Sequence, residues 1–212
     1  MEERIMTGDF RITLAYLKEL GACRDGQREF RKAFPDGAGY QETLDKCADA
    51  GRVDFGKWLL DKLGPTDDVR IYQEPIEDRN KVIIFAGRIE FEADINVKHI
   101  FAGCGIEAGL GIKAGCGIKA GCDIEAGRGI EAGWGIEAGW GIEAGYDIEA
   151  GWGYGIFAGI RVKIELWSSL AIVEANTKPT NLISGHWVEP NAQKNGGSYV
   201  ETNYTTNPKR RV

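Results

Sequence analysis

Histidine is nearly absent from this chain of 212 residues, which holds only His99 and His186. General acid–base chemistry rests most often on histidine, so that route to catalysis has little to work with. The five cysteines, Cys23, Cys47, Cys104, Cys116 and Cys122, are odd in number and lack the paired short spacings of a zinc site or a redox motif. They read as reduced thiols of a cytoplasmic protein. No stretch reaches the roughly 18 apolar residues of a membrane-spanning helix. Met1-Glu2-Glu3-Arg4 is not followed by an apolar run and does not read as a secretory signal. Gly103-Cys104-Gly105 followed by Gly109 lacks the spacing of a dinucleotide fingerprint. The chain is expected to be soluble and non-enzymatic, with no cofactor and no metal.

What is present is a six-residue repeat, Gly-Ile-Glu/Lys-Ala-Gly-X, in which isoleucine returns at Ile100, Ile106, Ile112, Ile118, Ile124, Ile130, Ile136, Ile142 and Ile148. An unbroken short period predicts a stacked solenoid. In a strand, alternate side chains face alternate ways, so Ile and the Ala two residues on share the inner face while Glu or Lys between them points outward. The glycines are expected to supply corners with positive φ and a close approach of coils. Three hexads per turn give a triangular coil of about 18 residues. Residues 100–153 then make three regular coils, and the flanks raise the total to about five, a prism of roughly 24 Å.

The sixth position varies: Cys104, Leu110, Cys116, Cys122, Arg128, Trp134, Trp140, Tyr146, Trp152. Stacking at eighteen gives the columns Cys104-Cys122-Trp140, Leu110-Arg128-Tyr146 and Cys116-Trp134-Trp152. Arg128 unpaired in an apolar core would be costly, so this position belongs at a corner or on the surface. The aromatic half of the repeat, rimmed by Glu131, Glu137, Glu143 and Glu149, is a candidate protein-binding surface, with Arg128, Trp134, Trp140, Tyr146 and Trp152 as its other members. The alternative is that these rings lie over glycine-rich corners and seal the solenoid against its C-terminal segment or a second copy.

Charge narrows the choice of partner. Residues 104–153 carry three basic side chains (Lys113, Lys119, Arg128) against eight acidic ones, within a net charge of −6. Phosphate binding needs a basic stripe, so the repeat face is not expected to bind nucleic acid. An acidic face suits a basic partner, such as a protein that handles nucleic acid. Glu107, Glu125 and Glu143 are expected to stack as an all-acidic ladder, while Lys113 and Lys119 relieve the other two faces.

The rest of the chain divides by pattern into an α+β protein. Residues 1–65 read as a bundle of four short helices. Asp9 caps the first (Phe10, Leu14, Leu17), Asp25 opens a shorter second, Tyr40, Leu44, Cys47 and Ala48 line the third, and Asp54 caps the fourth (Phe55, Trp58, Leu59, Leu63). Gly21, Gly51 and Gly64 mark helix ends. Residues 66–80, with five acids and Pro75, read as a linker, and residues 81–175 as the β-solenoid. The phrase Ile-Phe-Ala-Gly at Ile84, Ile100 and Ile156 brackets the regular hexads. Ile160, Val162, Ile164 and Leu166 alternate as a strand would, and Leu170 to Val173 forms a further apolar run. Residues 176–212 read as a polar tail that wraps the solenoid or orders on a partner.

The hexads Gly-Ile-Glu-Ala-Gly-Trp and Gly-Ile-Lys-Ala-Gly-Cys, together with the segments Leu17-Lys18-Glu19-Leu20-Gly21-Ala22-Cys23 and Trp58-Leu59-Leu60-Asp61-Lys62-Leu63-Gly64, resemble uncharacterised phage and prophage proteins of enteric bacteria. That resemblance implies a phage-encoded accessory protein in the bacterial host cytoplasm. It implies as function the binding and inhibition of a host defence complex, in the manner of an anti-CRISPR protein. An assembly protein whose solenoid oligomerises and a DNA-mimic inhibitor of a DNA-handling enzyme are the alternatives. A hexapeptide-type acyltransferase is the least favoured, because its histidine base would have to be His99, which reads as a surface or capping residue.

Overall fold

A computed structural model describes residues 11–190. The chain begins with β1 (Arg11–Ile12), α1 (Leu14–Glu19), α2 (Arg24–Ala33), β2 (Ala38–Gly39), α3 (Tyr40–Asp49) and α4 (Val53–Leu63). Thr13 caps α1 by accepting from the Tyr16 amide at 3.2 Å, and the Cys23 thiol caps α2 by accepting from Gly26. The expected caps differ: Asp9 lies outside the described residues, while Asp25 and Asp54 sit inside first turns, where their charge favours the helix dipole. At ten residues, α2 is longer than α1, not shorter. After α1 and α3 the chain turns through left-handed Gly21 (φ 81°) and Gly51 (φ 65°), which let the amides of Ala22 and Arg52 reach back to the carbonyls of Leu17 and Cys47.

The solenoid follows as β3 (Val69–Tyr72), β4 (Ile76–Phe85), β5 (Arg88–Phe91) and β6 (Ile95–Ala102). The hexads then give β7 (Ile106–Ala108), β8 (Ile112–Ala114), β9 (Ile118–Ala120), β10 (Ile124–Ala126), β11 (Ile130–Ala132), β12 (Ile136–Ala138), β13 (Ile142–Ala144) and β14 (Ile148–Ala150). The chain closes with β15 (Ile156–Phe157), a 3-10 turn (Ile164–Leu166), α5 (Trp167–Leu170), β16 (Ile172–Glu174), β17 (Leu182–Ser184) and β18 (His186–Val188).

These strands stack in parallel on three faces. Face one is a seven-stranded sheet in the order β18-β16-β13-β10-β7-β5-β3. Face two holds β14, β11, β8 and the first half of β6; face three holds the second half of β6, then β9, β12, β15 and β17. Long β6 bends around the edge between faces two and three, joining them into one sheet, and β4 pairs with both its halves. Seven stacked strands span about 29 Å at ~4.8 Å per step. The solenoid is thus taller than the five coils read from the hexads, because its ends lack the hexad.

The stretch read as a linker, 66–80, already contains β3 and the start of β4, and β17 and β18 lie in the stretch read as tail. The strand expected over Ile160–Leu166 is absent. Gly159, left-handed at φ 76°, redirects the chain into the 3-10 turn and α5, leaving Ile160, Ile164 and Leu166 exposed.

Every hexad isoleucine from Ile100 to Ile148 is at most 2% exposed, in one column per face. Each contributes about 1.5–3 kcal/mol by leaving water. At Gly103 and from Gly121 to Gly151 the glycine after alanine serves close approach, whereas Gly109 and Gly115 have 3.8–3.9 Å of room; positive φ among the hexads occurs only at Gly153. A Cβ at Gly133 would meet the Gly115 carbonyl oxygen at 2.1 Å, one coil below. The glycine before isoleucine has more room, 3.5 Å at Gly117, and that position accepts Asp123 and Asp147.

The helical domain packs on the N-terminal end of face three. Ile84 and Phe101, which stand outward where the hexads place Glu or Lys, are buried in one cluster with Leu44, Leu59 and Leu60. The Gln41 side chain of α3 donates to the Ile84 carbonyl and accepts from the Ala86 amide, both at 2.9 Å, occupying backbone groups at the C-terminal end of β4, which among the described residues pairs only with β6 on this face. An edge that would template pairing with another chain is covered in this way. Arg70 to Asp45 (3.0 Å) and Lys119 to Asp61 (3.8 Å) add ion pairs across the contact.

Candidate interaction surfaces

The three columns of the sixth position run along three different corners of the prism. Backbone hydrogen bonds link Leu110 to Arg128 and Arg128 to Tyr146 at the first corner, Cys116 to Trp134 at the second, and Cys104 to Cys122 and Cys122 to Trp140 at the third. The single patch expected from Arg128, Glu131, Trp134, Glu137, Trp140, Glu143, Tyr146, Glu149 and Trp152 is therefore divided. Glu131 and Glu149 stand on face two, Glu137 on face three and Glu143 on face one. Arg128 at the first corner lies 3.7 Å from Asp94. Its aromatic neighbour there, Tyr146, is well exposed.

The second corner gathers the most aromatic surface. Trp134 stacks on Tyr154, with ring centroids 5.9 Å apart, and meets His99 edge-on at 5.4 Å. Trp134 nonetheless remains 47% exposed. Trp152 is fully exposed (100%). It opens a shallow groove with Tyr154, Phe157, Asn181 and Ile183 at the C-terminal end.

His99 is 6% exposed, which removes the surface reading and leaves the capping one. Its Nδ1 accepts the Gly117 amide at 3.2 Å, and burial, with Lys98 and Lys57 nearby, pushes its pKa below the usual histidine value. It therefore serves as a neutral acceptor. Asp94 and Asp123, also preceding an isoleucine, accept from Gly111 (3.2 Å) and Gly141 (2.7 Å). A polar residue at this place in the hexad ties its corner to the next coil. The Gly117 hydrogen bond gives His99 a place in the turn geometry of the repeat.

Face one carries the strongest charge feature. Strand register aligns Glu90, Glu107, Glu125, Glu143 and Glu174 in one outward column. The sequence showed the middle three; Glu90 and Glu174 lie outside the regular hexads and were missed. Four steps of ~4.8 Å make this ladder about 19 Å long. Among the described residues its ion pairing consists of Arg88 to Glu107 at 3.7 Å. Burial raises the pKa of Glu125 and Glu143, and neighbouring carboxylates raise them further: Glu143, Asp123 and Glu107 around Glu125, Glu174 and Asp123 around Glu143. Faces two and three are relieved as expected, by Lys113 to Glu131 (2.6 Å) and Lys119 to Glu137 (3.6 Å).

Among the described residues, no helix is long and apolar enough to cross a membrane, and no group of three or more His, Cys, Asp or Glu is placed to hold a metal ion.

Fold and surfaces together define a β-solenoid with a small helical domain docked at its N-terminal end. Residues 1–63 match the family model described as the YdhT N-terminal domain, and the match ends on the last residue of α4, leaving the solenoid outside it. No curated protein and no solved structure matches the chain.

Proposed function

We propose that this protein is a non-enzymatic binding protein whose glutamate ladder on face one docks against a basic surface of a partner that handles nucleic acid. The observation that carries the reading is the five-residue column with Arg88 as its sole cation among the described ion pairs. Stacked like charges destabilise a fold, and a feature kept against local stability is characteristic of functional surfaces. One carboxylate per ~4.8 Å is sparser than the ~3.4 Å phosphate spacing of a DNA strand. A basic groove that normally holds nucleic acid would still face a continuous run of negative charge. DNA mimicry is thus a special case of the same reading.

The partner class we favour is a host defence complex, bound and inhibited by a phage or mobile-element protein in the host cytoplasm. Capture from bacterial lysate tests this: nuclease, CRISPR or DNA-handling components should be enriched on the chain and released by salt, as long-range charge attraction requires. Enrichment of none of them would remove the proposal. The exposed end around Trp152, Tyr154 and Ile183 favours a second reading, an assembly protein that self-associates. A monomer at high concentration by light scattering would remove that one.

A further inference from the structure

Two of the five cysteines meet at the third corner. Cys104 and Cys122 hold equivalent positions in successive coils, where the Cys122 amide donates to the Cys104 carbonyl at 3.1 Å. Their Sγ atoms are 3.1 Å apart, and both residues are partly exposed. Stacked strands lie ~4.8 Å apart, within the roughly 4.4–6.8 Å Cα separation that a disulfide spans. The register of the coils thus holds two thiols in place for bonding without movement of the backbone.

We propose that Cys104 and Cys122 form a redox-active dithiol that a peroxide converts to a disulfide, stapling two adjacent coils. The Cys104 thiolate attacks one peroxide oxygen and the O–O bond breaks. This gives a Cys104 sulfenic acid and, for hydrogen peroxide, hydroxide, which takes up the Cys122 proton to become water. The Cys122 sulfur then attacks the Cys104 sulfur, the S–O bond breaks, and hydroxide leaves and is protonated by solvent. Two thiols lose two electrons, and one peroxide is reduced to two waters.

The surroundings assign the order of the two sulfurs. Either thiol can donate to the other across the 3.1 Å contact; that shared hydrogen bond, with the Gly105 amide and Arg88 beside Cys104, lowers the Cys104 pKa against the burial that opposes it. The same hydrogen bond and burial shift Cys122 upward, and among the described residues no backbone amide offsets them there. Cys104 is therefore the attacking thiolate and Cys122 the resolving thiol. Asp123 opposes ionisation of both, while Arg161 favours it at Cys122. In a reducing compartment such a pair is transient and suited to sensing an oxidant.

Trypsin decides the pairing, because Lys113 and Lys119 separate the two cysteines into the peptides 99–113 and 120–128. The folded full chain is treated with hydrogen peroxide, alkylated under denaturing conditions and digested. The expected result is a linked pair of these peptides, two hydrogens lighter than their sum, which dithiothreitol separates, with Tm raised by several degrees in the oxidised chain. Absence of the linked pair from a chain whose circular dichroism is unchanged would overturn the proposal. Single variants test the order. Cys122→Ser should trap a dimedone-reactive sulfenic acid on Cys104, about tenfold more than Cys104→Ser yields on Cys122; equal or reversed yields would overturn the assignment. Cys116→Ser, at the second corner, should leave the linked pair intact.

Discussion

Faces one and three share one core and differ in what they show outside. Both are columns of Ile and Ala at the same strand spacing. On face three the outward column runs Ile84, Phe101, Lys119, Glu137, Phe157. Its first two members are covered by α3 and α4 and the next two are paired as ions. On face one the same positions are five glutamates, with no domain over them among the described residues. The hexad folds equally well under either exterior, so folding leaves the outward residue free. Face three uses that freedom to hold the chain's own helical domain, and face one keeps a run of charge that the fold itself does not need.

The largest effect should come from breaking what the two faces share. Gly133→Ala places a Cβ 2.1 Å from the Gly115 carbonyl oxygen, and a backbone clash of that kind should cost more than about 4 kcal/mol in denaturant unfolding. Gly117→Ala, with 3.5 Å to its nearest neighbour, should stay within about 0.5 kcal/mol. Equal losses for the two would mean that close stacking is not the role of the glycine after alanine.

Next is a change confined to face three. Phe101→Asp buries a carboxylate under α4 and should cost about 3–5 kcal/mol. Limited proteolysis should then cut the helical domain first, leaving the hexad strands protected.

The smallest effect sharpens face one. Replacing Glu107, Glu125 and Glu143 together by Gln should stabilise the chain by about 1 kcal/mol at pH 7 and low salt. Added salt should shrink that gain. Acid should also shrink it: with their folded pKa raised, Glu125 and Glu143 bind protons more readily folded than unfolded, so wild type recovers stability as pH falls through their folded pKa. His99, with its pKa lowered, works in the opposite sense, losing stability below its unfolded value of ~6.5. It is common to both chains, so the difference between them reports the ladder.

Much of this contrast was legible before the structure. The strict period gave the isoleucine columns, three hexads per coil and the middle of the ladder. Glu90 and Glu174 were hidden because β5 and β16 join the same column without carrying the hexad, and their places depend on how the chain turns at its ends. The meaning of Ile84 and Phe101 stood in the sequence as an apolar residue where the repeat puts charge, although what covered them did not. The division of the candidate residues among three corners followed from the eighteen-residue columns themselves, since three columns on a triangular coil cannot share one face. The Ile160–Leu166 alternation misled because left-handed Gly159 takes the chain off the prism there.

The ladder's role is tested most directly by measuring, side by side, what wild type, the triple glutamine variant and a Trp134→Ala/Trp152→Ala variant capture from bacterial lysate at fixed low salt. The glutamine variant should lose nuclease, CRISPR and DNA-handling components by about tenfold or more, while the tryptophan variant keeps them. Full capture by the glutamine variant, with loss on the tryptophan variant, would contradict the account and move the binding surface to the second corner.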